Sequence, residues 1–400
     1  MEEKLMKQSF KLAGLAALMS VSALPAMSQK AAAQEKIKVG VIVSLSGAGA
    51  VLGQQARDGF NLAVKDLGGK MGGKDVEVIV VDDELKPDVA VTKVKGLLER
   101  DKVDFVVGPI FSNILGAIHK PVTENKTFLI SPNAGPSSYA GKECNPYFYV
   151  TSYQNDQIHQ ILGNVAQKRG YKKIYLMTPN YQAGKDFVAG VKMDFKGEIV
   201  EESFIPLGTL DFQAELSKIA SMKPDAVLTF IQGGMGVNLV KQYKQAGLLD
   251  RIPFLSTFTV DESTLPAQQD AAIGMFGGSN WAPTLDTPQN KKFVAEYEKA
   301  YNSVPATYAF QSYDAAMLIN SAVVAVKGDL SDKTKVAAAM KKADFPSIRG
   351  GFKFSNNGYP VQDFFLTKVA KRADGKFQTE IVEKVFSNYS DRYAKDCAAQ

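Results

Sequence analysis

The chain has 400 residues, too many for one compact core; at ~150 residues per domain it fits two domains, or at most three. Hydrophobic residues make up 45% and charged residues 22%, which excludes a disordered or fibrous chain. The net charge of +5 comes without a basic run, arguing against nucleic acid as a partner, and two cysteines and two histidines leave no zinc site of Cys-pair spacing.

Lys4, Lys7 and Lys11 precede an uncharged stretch from Leu12 to Leu24, then Pro25 and the small residues Ala31, Ala32 and Ala33. This is the pattern of a secretory signal peptide over 1–33, with cleavage expected after Ala33 and Ser28 as the other candidate. A membrane anchor would need ~20 strongly apolar residues, and here Gly14, Ser20, Ser22 and Pro25 interrupt the run. Residues 1–33 hold four lysines and two glutamates, so removing them lowers the net charge from +5 to +3 over 367 residues. The mature protein is expected to be soluble and outside the cytoplasm. There Cys144 and Cys397, an even number in an oxidising compartment, are disulfide candidates; two unpaired thiols are the alternative.

The mature chain alternates strand and helix signals. Ile37–Val43 is a buried strand and Gly53–Leu67 a helix with Ala56, Phe60, Ala63 and Leu67 on one face. Strand Val76–Val81, helix Pro87–Arg100, strand Val103–Val107, helix Ile114–Glu124 and strands Thr127–Ile130 and Tyr147–Val150 follow. The rhythm restarts with helix Gln154–Arg169, strand Lys173–Met177, helix Ala183–Phe195, strand Ile199–Ile205, helix Phe212–Met222, strand Ala226–Phe230 and helix Gly236–Ala246. Pro288–Ala343 is mostly helical, and β-rich segments near Phe352–Phe354, Phe364–Val369 and Thr379–Val385 end the chain. The alternation means α/β architecture with two doubly wound lobes, Val76–Val81 being apolar as a strand covered on both faces requires. Three hinge crossings are expected, at Val150–Tyr153, Asn280–Thr284 and Ser355–Gly358. Lobe 1 then comprises 34–150 and 284–355, lobe 2 comprises 151–283 and 356–390, and 391–400 is a tail. A ligand belongs in the cleft between them.

Several motifs fail. Gly47, Gly49 and Gly53 resemble a dinucleotide fingerprint, but the third glycine should stand at position 52, which is Leu52. Gly68–Lys74 nearly matches a P-loop, with Asp75 in place of the Ser or Thr and no helix after it. Asp82-Asp83-Glu84 can be read as a hard-cation site or, more ordinarily, as a solvated loop at a strand end. His119 and His159 lie on separate helices as surface or packing residues. No nucleophile elbow or His-Glu-x-x-His occurs, so no enzyme, metal or cofactor is expected.

Four segments carry a family likeness: VGVIVSLSGAGAVLG at Val39–Gly53, VVGPIFSNILGA at Val106–Ala117, LISPNAG at Leu129–Gly135 and NYQAGKD at Asn180–Asp186. Together they resemble the periplasmic solute-binding proteins of branched-chain amino acid-type ABC transporters, over nearly the whole mature chain. The resemblance implies a two-lobed protein, expected to be a monomer, that binds one small molecule and presents it to a membrane permease. It also implies that Ser112, Asn133, Ala134 and Gly135 hold a ligand carboxylate through a hydroxyl and backbone amides, and that Tyr181 lines the second lobe. The residues agree: Ser112 is at an expected N-cap, and free amides there and in the Asn133–Gly135 turn can hold a carboxylate without a cation.

Amino acid binders of this family hold the ligand's ammonium with a glutamate whose matching residue here is Phe258. An ammonium buried there would lack its counter-charge at a cost of several kcal/mol, of which a cation–π contact recovers only ~2 kcal/mol. Leu52 and Gln232 also replace family aromatics. Leu52, Tyr181, Phe258, Tyr308 and, unless it is a core residue, Phe310 are expected to form a flat apolar slot, with Gln232 bonding a ring substituent. The expected ligand is therefore an aromatic acid of benzoate, hydroxybenzoate or phenylpropenoid type. The alternatives are a branched-chain or other hydrophobic amino acid, if another acid reaches the ammonium, and a ligand-sensing receptor domain.

Overall fold

The structure, a computed structural model, describes residues 36–398. The expected leader, with its cleavage point after Ala33 or Ser28, lies outside the described residues. The first sheet contains β1 (Ile37–Val43), β2 (Lys70–Met71), β3 (Lys74–Asp82), β4 (Phe105–Val107), β5 (Phe128–Ser131) and β6 (Phe148–Val150), in the order β2-β3-β1-β4-β5-β6. Apart from the β2–β3 hairpin all its pairings are parallel, with α1 (Ala50–Asp66), α2 (Pro87–Glu99) and α3 (Ser112–Glu124) as crossovers.

After β6 the chain crosses at Thr151–Gln154 into α4 (Asn155–Lys168) and builds the second sheet. Its parallel strands are β7 (Lys173–Pro179), β8 (Glu198–Ile205), β9 (Ala226–Thr229), β10 (Phe254–Ser256) and β11 (Phe276–Ser279), in the order β8-β7-β9-β10-β11. The helices α5 (Gln182–Asp194), α6 (Gln213–Met222), α7 (Gly233–Gln245) and the short α8 (Leu265–Gln268) lie between them. The chain then returns to the first lobe through α9 (Pro288–Tyr301), α10 (Thr307–Ala325) and α11 (Lys333–Lys342). Tyr297 and Tyr313 hydroxyls donate to Gln55 and Asp66 of α1, each at 2.9 Å. Finally β12 (Lys353–Phe354), β13 (Pro360–Lys371) and β14 (Phe377–Tyr389) extend the second sheet, β13 antiparallel to β11.

Both sheets share one strand order, second-first-third-fourth-fifth, although their sequences differ. Burial follows: β4, β5, β6, β9 and β10 are buried at every position. β3 departs from the expected doubly covered strand. Its outer neighbour is only the two-residue β2, so Val76–Val81 stay half-buried. α1 begins at Ala50, so Gly53 lies inside it. A Cβ there would fall 1.9 Å from the Ser44 carbonyl, so the glycine reports close helix–strand packing and not a helix start. The lobe boundary expected at 355 falls after β12, whose pairing with β13 attaches it to the second sheet.

Arg349 staples the crossings. Its guanidinium donates to the carbonyls of Thr151 and Ser152 at 2.7 and 3.3 Å, to Gln362, and to Asp314 at 3.1 Å, the last pair being buried. Asn280, from the second crossing, donates to the Ser152 carbonyl at 3.0 Å and to Gln362 at 3.1 Å. Cys144 and Cys397 are joined by a disulfide with a Cα–Cα distance of 5.7 Å, tying the end of the chain to the loop before β6.

Candidate functional site

In open α/β sheets the ligand crevice forms beyond the C-terminal ends of the strands, where the strand order reverses. That point lies between β1 and β4 in one lobe and between β7 and β9 in the other. The segments after these strands and their neighbours carry Leu52, Ser112, Asn133–Gly135, Tyr181, Gln232 and Phe258, while Tyr308 opens α10. The lobes meet here: a Cβ on Gly233, at the start of α7, would lie 2.5 Å from the Ala48 carbonyl. Gly233 also has φ +63°, so both space and backbone conformation favour glycine.

The first-lobe wall is a set of hydrogen-bond donors. Ser112 is not the capping residue expected; Phe111 holds that position and Ser112 is the first helical residue of α3. No side chain caps α3, so its first amides point outward unsatisfied, and Ser112 is buried beside them. The Ala134 amide has no acceptor among the described residues. Gly135 differs from expectation, because its amide donates to Asn155 Oδ1 at 3.1 Å and is not free. The Asn133 side chain is also committed: its Nδ2 donates to the Ile110 carbonyl at 2.7 Å and its Oδ1 accepts from Tyr153 at 2.9 Å. Ser112 and the Ala134 amide therefore remain uncommitted as donors among the described residues, whereas the Asn133 side chain and the Gly135 amide are engaged within the turn.

The second-lobe wall is aromatic. Phe258 stacks on Tyr153 with ring centroids 5.2 Å apart and touches Tyr308 and Phe230, each at 6.2 Å. Tyr181 continues the row, 6.3 Å from Phe230 and 6.4 Å from Phe111. Leu52 is fully buried nearby, and the Gln232 amide donates to the Tyr181 hydroxyl at 2.8 Å. Gln232 Oε1 is buried without a hydrogen-bond partner among the described residues. Phe258 has φ +60°, a costly conformation for a bulky residue, of the kind concentrated at ligand sites. Phe310 lies elsewhere: it stacks on Trp281 at 4.9 Å, with the Arg349 guanidinium 5.2 Å from its ring. It is a core residue.

Sequence reading missed Tyr153, Phe111, Phe230, Asn155 and Asp186. Asn155 Nδ2 donates to Ser112 Oγ at 3.1 Å and to Asp186 Oδ2 at 3.0 Å. Asp186 also accepts from Ser137 Oγ at 2.6 Å and Gln182 Nε2 at 2.9 Å, so it bonds both lobes. Phe111 and Asp186 stand inside two of the family-like segments, Tyr153 in an expected crossing and Phe230 at the end of an expected strand, so each carried a signal in the sequence; Asn155 carried none.

Behind Phe258 lie Asp261 and Glu262, both buried. Burial pushes Asp261 up to about 6 and, with the Asp261 charge adding, Glu262 up to about 7. His159, bonded to Thr257 at 2.7 Å, is pushed down to about 3 by burial, and His119 stacks on Tyr139 at 3.9 Å, pushed down to about 4; both are packing residues. Asp82 and Asp83 accept the Leu45 and Leu85 amides, each at 2.8 Å, and Asp83 is buried, so this is an ordered turn and not the solvated loop expected. Among the described residues no group of three or more acids, histidines or cysteines is placed to hold a metal ion. A basin of about 670 Å³ opens at the other end of the first sheet, lined by Lys36, Lys38, Lys74, Lys102, Lys327 and Lys333. It is remote from every residue above. Lys102 and Lys327 there follow the C-terminal ends of α2 and α10, whose dipoles they complement.

The sequence profile of the periplasmic binding protein family matches residues 36–376. A solute-binding protein of an ABC transporter from R. palustris, solved in complex with benzoate, is 34% identical, with a TM-score of 0.85 over 90% of this chain and 99% of that one. A solute-binding protein from Rhodopseudomonas palustris BisB5, in complex with 3,4-dihydroxybenzoic acid, is 32% identical with a TM-score of 0.84, covering 89% and 99%. Leu/Ile/Val-binding protein homolog 6 of Brucella melitensis is 28% identical over 89% of this chain and 93% of its own length.

Proposed function

The chain belongs to the periplasmic binding protein family, and from that premise we propose that it is the periplasmic capture component of an ABC importer that binds an aromatic carboxylate between its lobes. Its partner in this reading is an inner-membrane permease. The observation that carries the ligand class is Phe258. A buried phenyl ring, stacked on Tyr153 and flanked by Tyr308 and Phe230, stands where an amino acid binder needs a carboxylate. The uncapped start of α3, Ser112 Oγ and the Ala134 amide offer donors to an anion, and no Lys, Arg or His stands among the named site residues. An aromatic acid satisfies both walls: its carboxylate takes the amides and its ring takes the stack. Solved relatives at 34% and 32% identity hold benzoate and 3,4-dihydroxybenzoic acid, which supports the same class.

The Brucella relative's name keeps an aliphatic amino acid as the second reading, with Asp261 as the acid that would have to reach the ammonium. Thermal-shift and calorimetric titration against benzoate, hydroxybenzoates, hydroxycinnamates and leucine separates the two. Stabilisation by the aromatic acids and not by leucine is expected; stabilisation by leucine alone overturns the reading.

A further inference from the structure

Asp261 is 5% exposed, and its two carboxyl oxygens differ. Oδ1 accepts from the Ser263 amide at 2.8 Å and from the Ser263 hydroxyl, closing a turn ahead of α8. Oδ2 is buried without a hydrogen-bond partner among the described residues. A cavity of about 10 Å³ beside it is lined by Phe258, Asp261, Glu262, Ser279 and Thr307, among others. That volume admits about one water molecule or one ligand hydroxyl, and nothing larger. Phe258 and Tyr308 border the aromatic slot, and Phe258 and Thr307, the neighbour of Tyr308 at the start of α10, also line the cavity, so the cavity adjoins the slot. The Asp261 charge acts on both the Tyr153 and Tyr308 hydroxyls, which places the three groups in one electrostatic environment.

Resting on the aromatic-acid reading, we propose that Asp261 is a specificity-determining residue whose Oδ2 accepts a hydrogen bond from a ring hydroxyl remote from the ligand's carboxylate, directly or through one water, so that the preferred ligands are hydroxylated aromatic acids. An unsatisfied buried acceptor discriminates sharply for the donor it lacks, because an analogue without that donor leaves the acceptor stranded. A phenol has one proton to give and Oδ2 is one acceptor. An ammonium has three donors, and the orphan acceptors named at the slot are two, Asp261 Oδ2 and Gln232 Oε1, so an ammonium would leave a donor unpaired where a hydroxyl does not. Glu262, which also lines the cavity, is held through Oε1 by the Thr379 amide and hydroxyl at 2.6 and 2.7 Å, and Asp261 Oδ2 is the carboxylate oxygen there that is both fully buried and unpartnered among the described residues.

The test is calorimetric titration of the wild-type protein with benzoate, 4-fluorobenzoate, 3-hydroxybenzoate, 4-hydroxybenzoate and leucine, repeated on Asp261→Asn and Asp261→Ala. Asn keeps the turn to Ser263 and replaces only the orphan oxygen. Wild type should bind its better hydroxybenzoate at least tenfold more tightly than benzoate or 4-fluorobenzoate. Both variants should reduce that ratio to about one. A wild-type protein that binds 4-fluorobenzoate as tightly as either hydroxybenzoate overturns the proposal without any variant, as does an unchanged ratio in Asp261→Asn. In both cases the aromatic-acid reading survives, because benzoates still bind. Binding of leucine with no benzoate binding defeats that reading, and this proposal with it.

Discussion

At the scale of single residues, two side chains concentrate the chemistry. Phe258 sits at φ +60°, so the loop after β10 holds a bulky residue in strain to present its ring to Tyr153 and Tyr308. Replacing it by glutamate puts a buried negative charge beside an anionic ligand and removes the stack. Phe258→Glu should weaken benzoate binding by at least about 100-fold in calorimetric titration, a loss of about 2.7 kcal/mol. Glu262 makes a different prediction. Burial, and then the Asp261 charge, raise its carboxyl to about 7, so the folded state holds that proton more tightly than the unfolded chain does. Its contribution to stability is complete below the unfolded carboxyl range and is lost as pH rises through about 7. Gln at this position keeps an acceptor for Thr379 without the charge. Urea denaturation should find Glu262→Gln close to wild type at pH 4 and more stable at pH 8, by on the order of 2–3 kcal/mol.

At the scale of elements, the uncapped start of α3 and the three crossings decide what the site can do. α3, α5 and α7 all begin at the cleft without side-chain caps, whereas Thr287 caps α9 and Asp332 caps α11. At α5 and α7 the capping positions are Tyr181 and Gln232, whose side chains bond one another instead of their own helices. The crossings hang on Arg349, whose ion pair with Asp314 is buried and backed by two carbonyls of the first crossing. Removing one partner of such a pair leaves the other charged and unpaired. Arg349→Met should destabilise the protein by about 3–5 kcal/mol in urea denaturation, while Arg349→Met with Asp314→Leu should recover much of that loss. The β-α alternation made these elements visible in the sequence, including the return of the α9–α11 segment between the second and third crossings. Their ends were less visible: α1 and α7 start three residues before the expected glycines, because Gly53 and Gly236 report close packing against a strand or turn carbonyl.

At the scale of the whole molecule, the cleft lies between two lobes of one plan, and Asp186 bonds across it. Ser137 in the first lobe and Asn155 and Gln182 in the second all donate to its carboxylate, and Asn155 passes the connection on to Ser112. A contact between lobes that depends on one buried carboxylate should move the balance between lobes in contact and lobes apart. Asp186→Ala should lower aromatic-acid affinity by about tenfold, a 1.4 kcal/mol change. It should also raise the radius of gyration of the unliganded protein in small-angle X-ray scattering. An unchanged radius with unchanged affinity would show that the lobes are held together elsewhere.

The sequence by itself determined the two-lobed α/β plan, the three crossings, the turns at the strand ends, and the phenylalanine at position 258. Each rests on local pattern: the period of apolar residues, turn chemistry, or the identity of one side chain at a strand end. The tertiary structure alone decided which donors stay free. It committed the Gly135 amide to Asn155 and the Asn133 side chain to Tyr153, moved Phe310 into the core, and set an orphaned Asp261 oxygen behind Phe258. Polar partners such as Ser112 and Asn155, or Thr151 and Arg349, are separated by 43 and 198 residues and meet at no periodic spacing. Hydrophobic burial follows a repeat that can be read along the chain, whereas the pairing of buried polar groups depends on distances that exist only once the chain has folded.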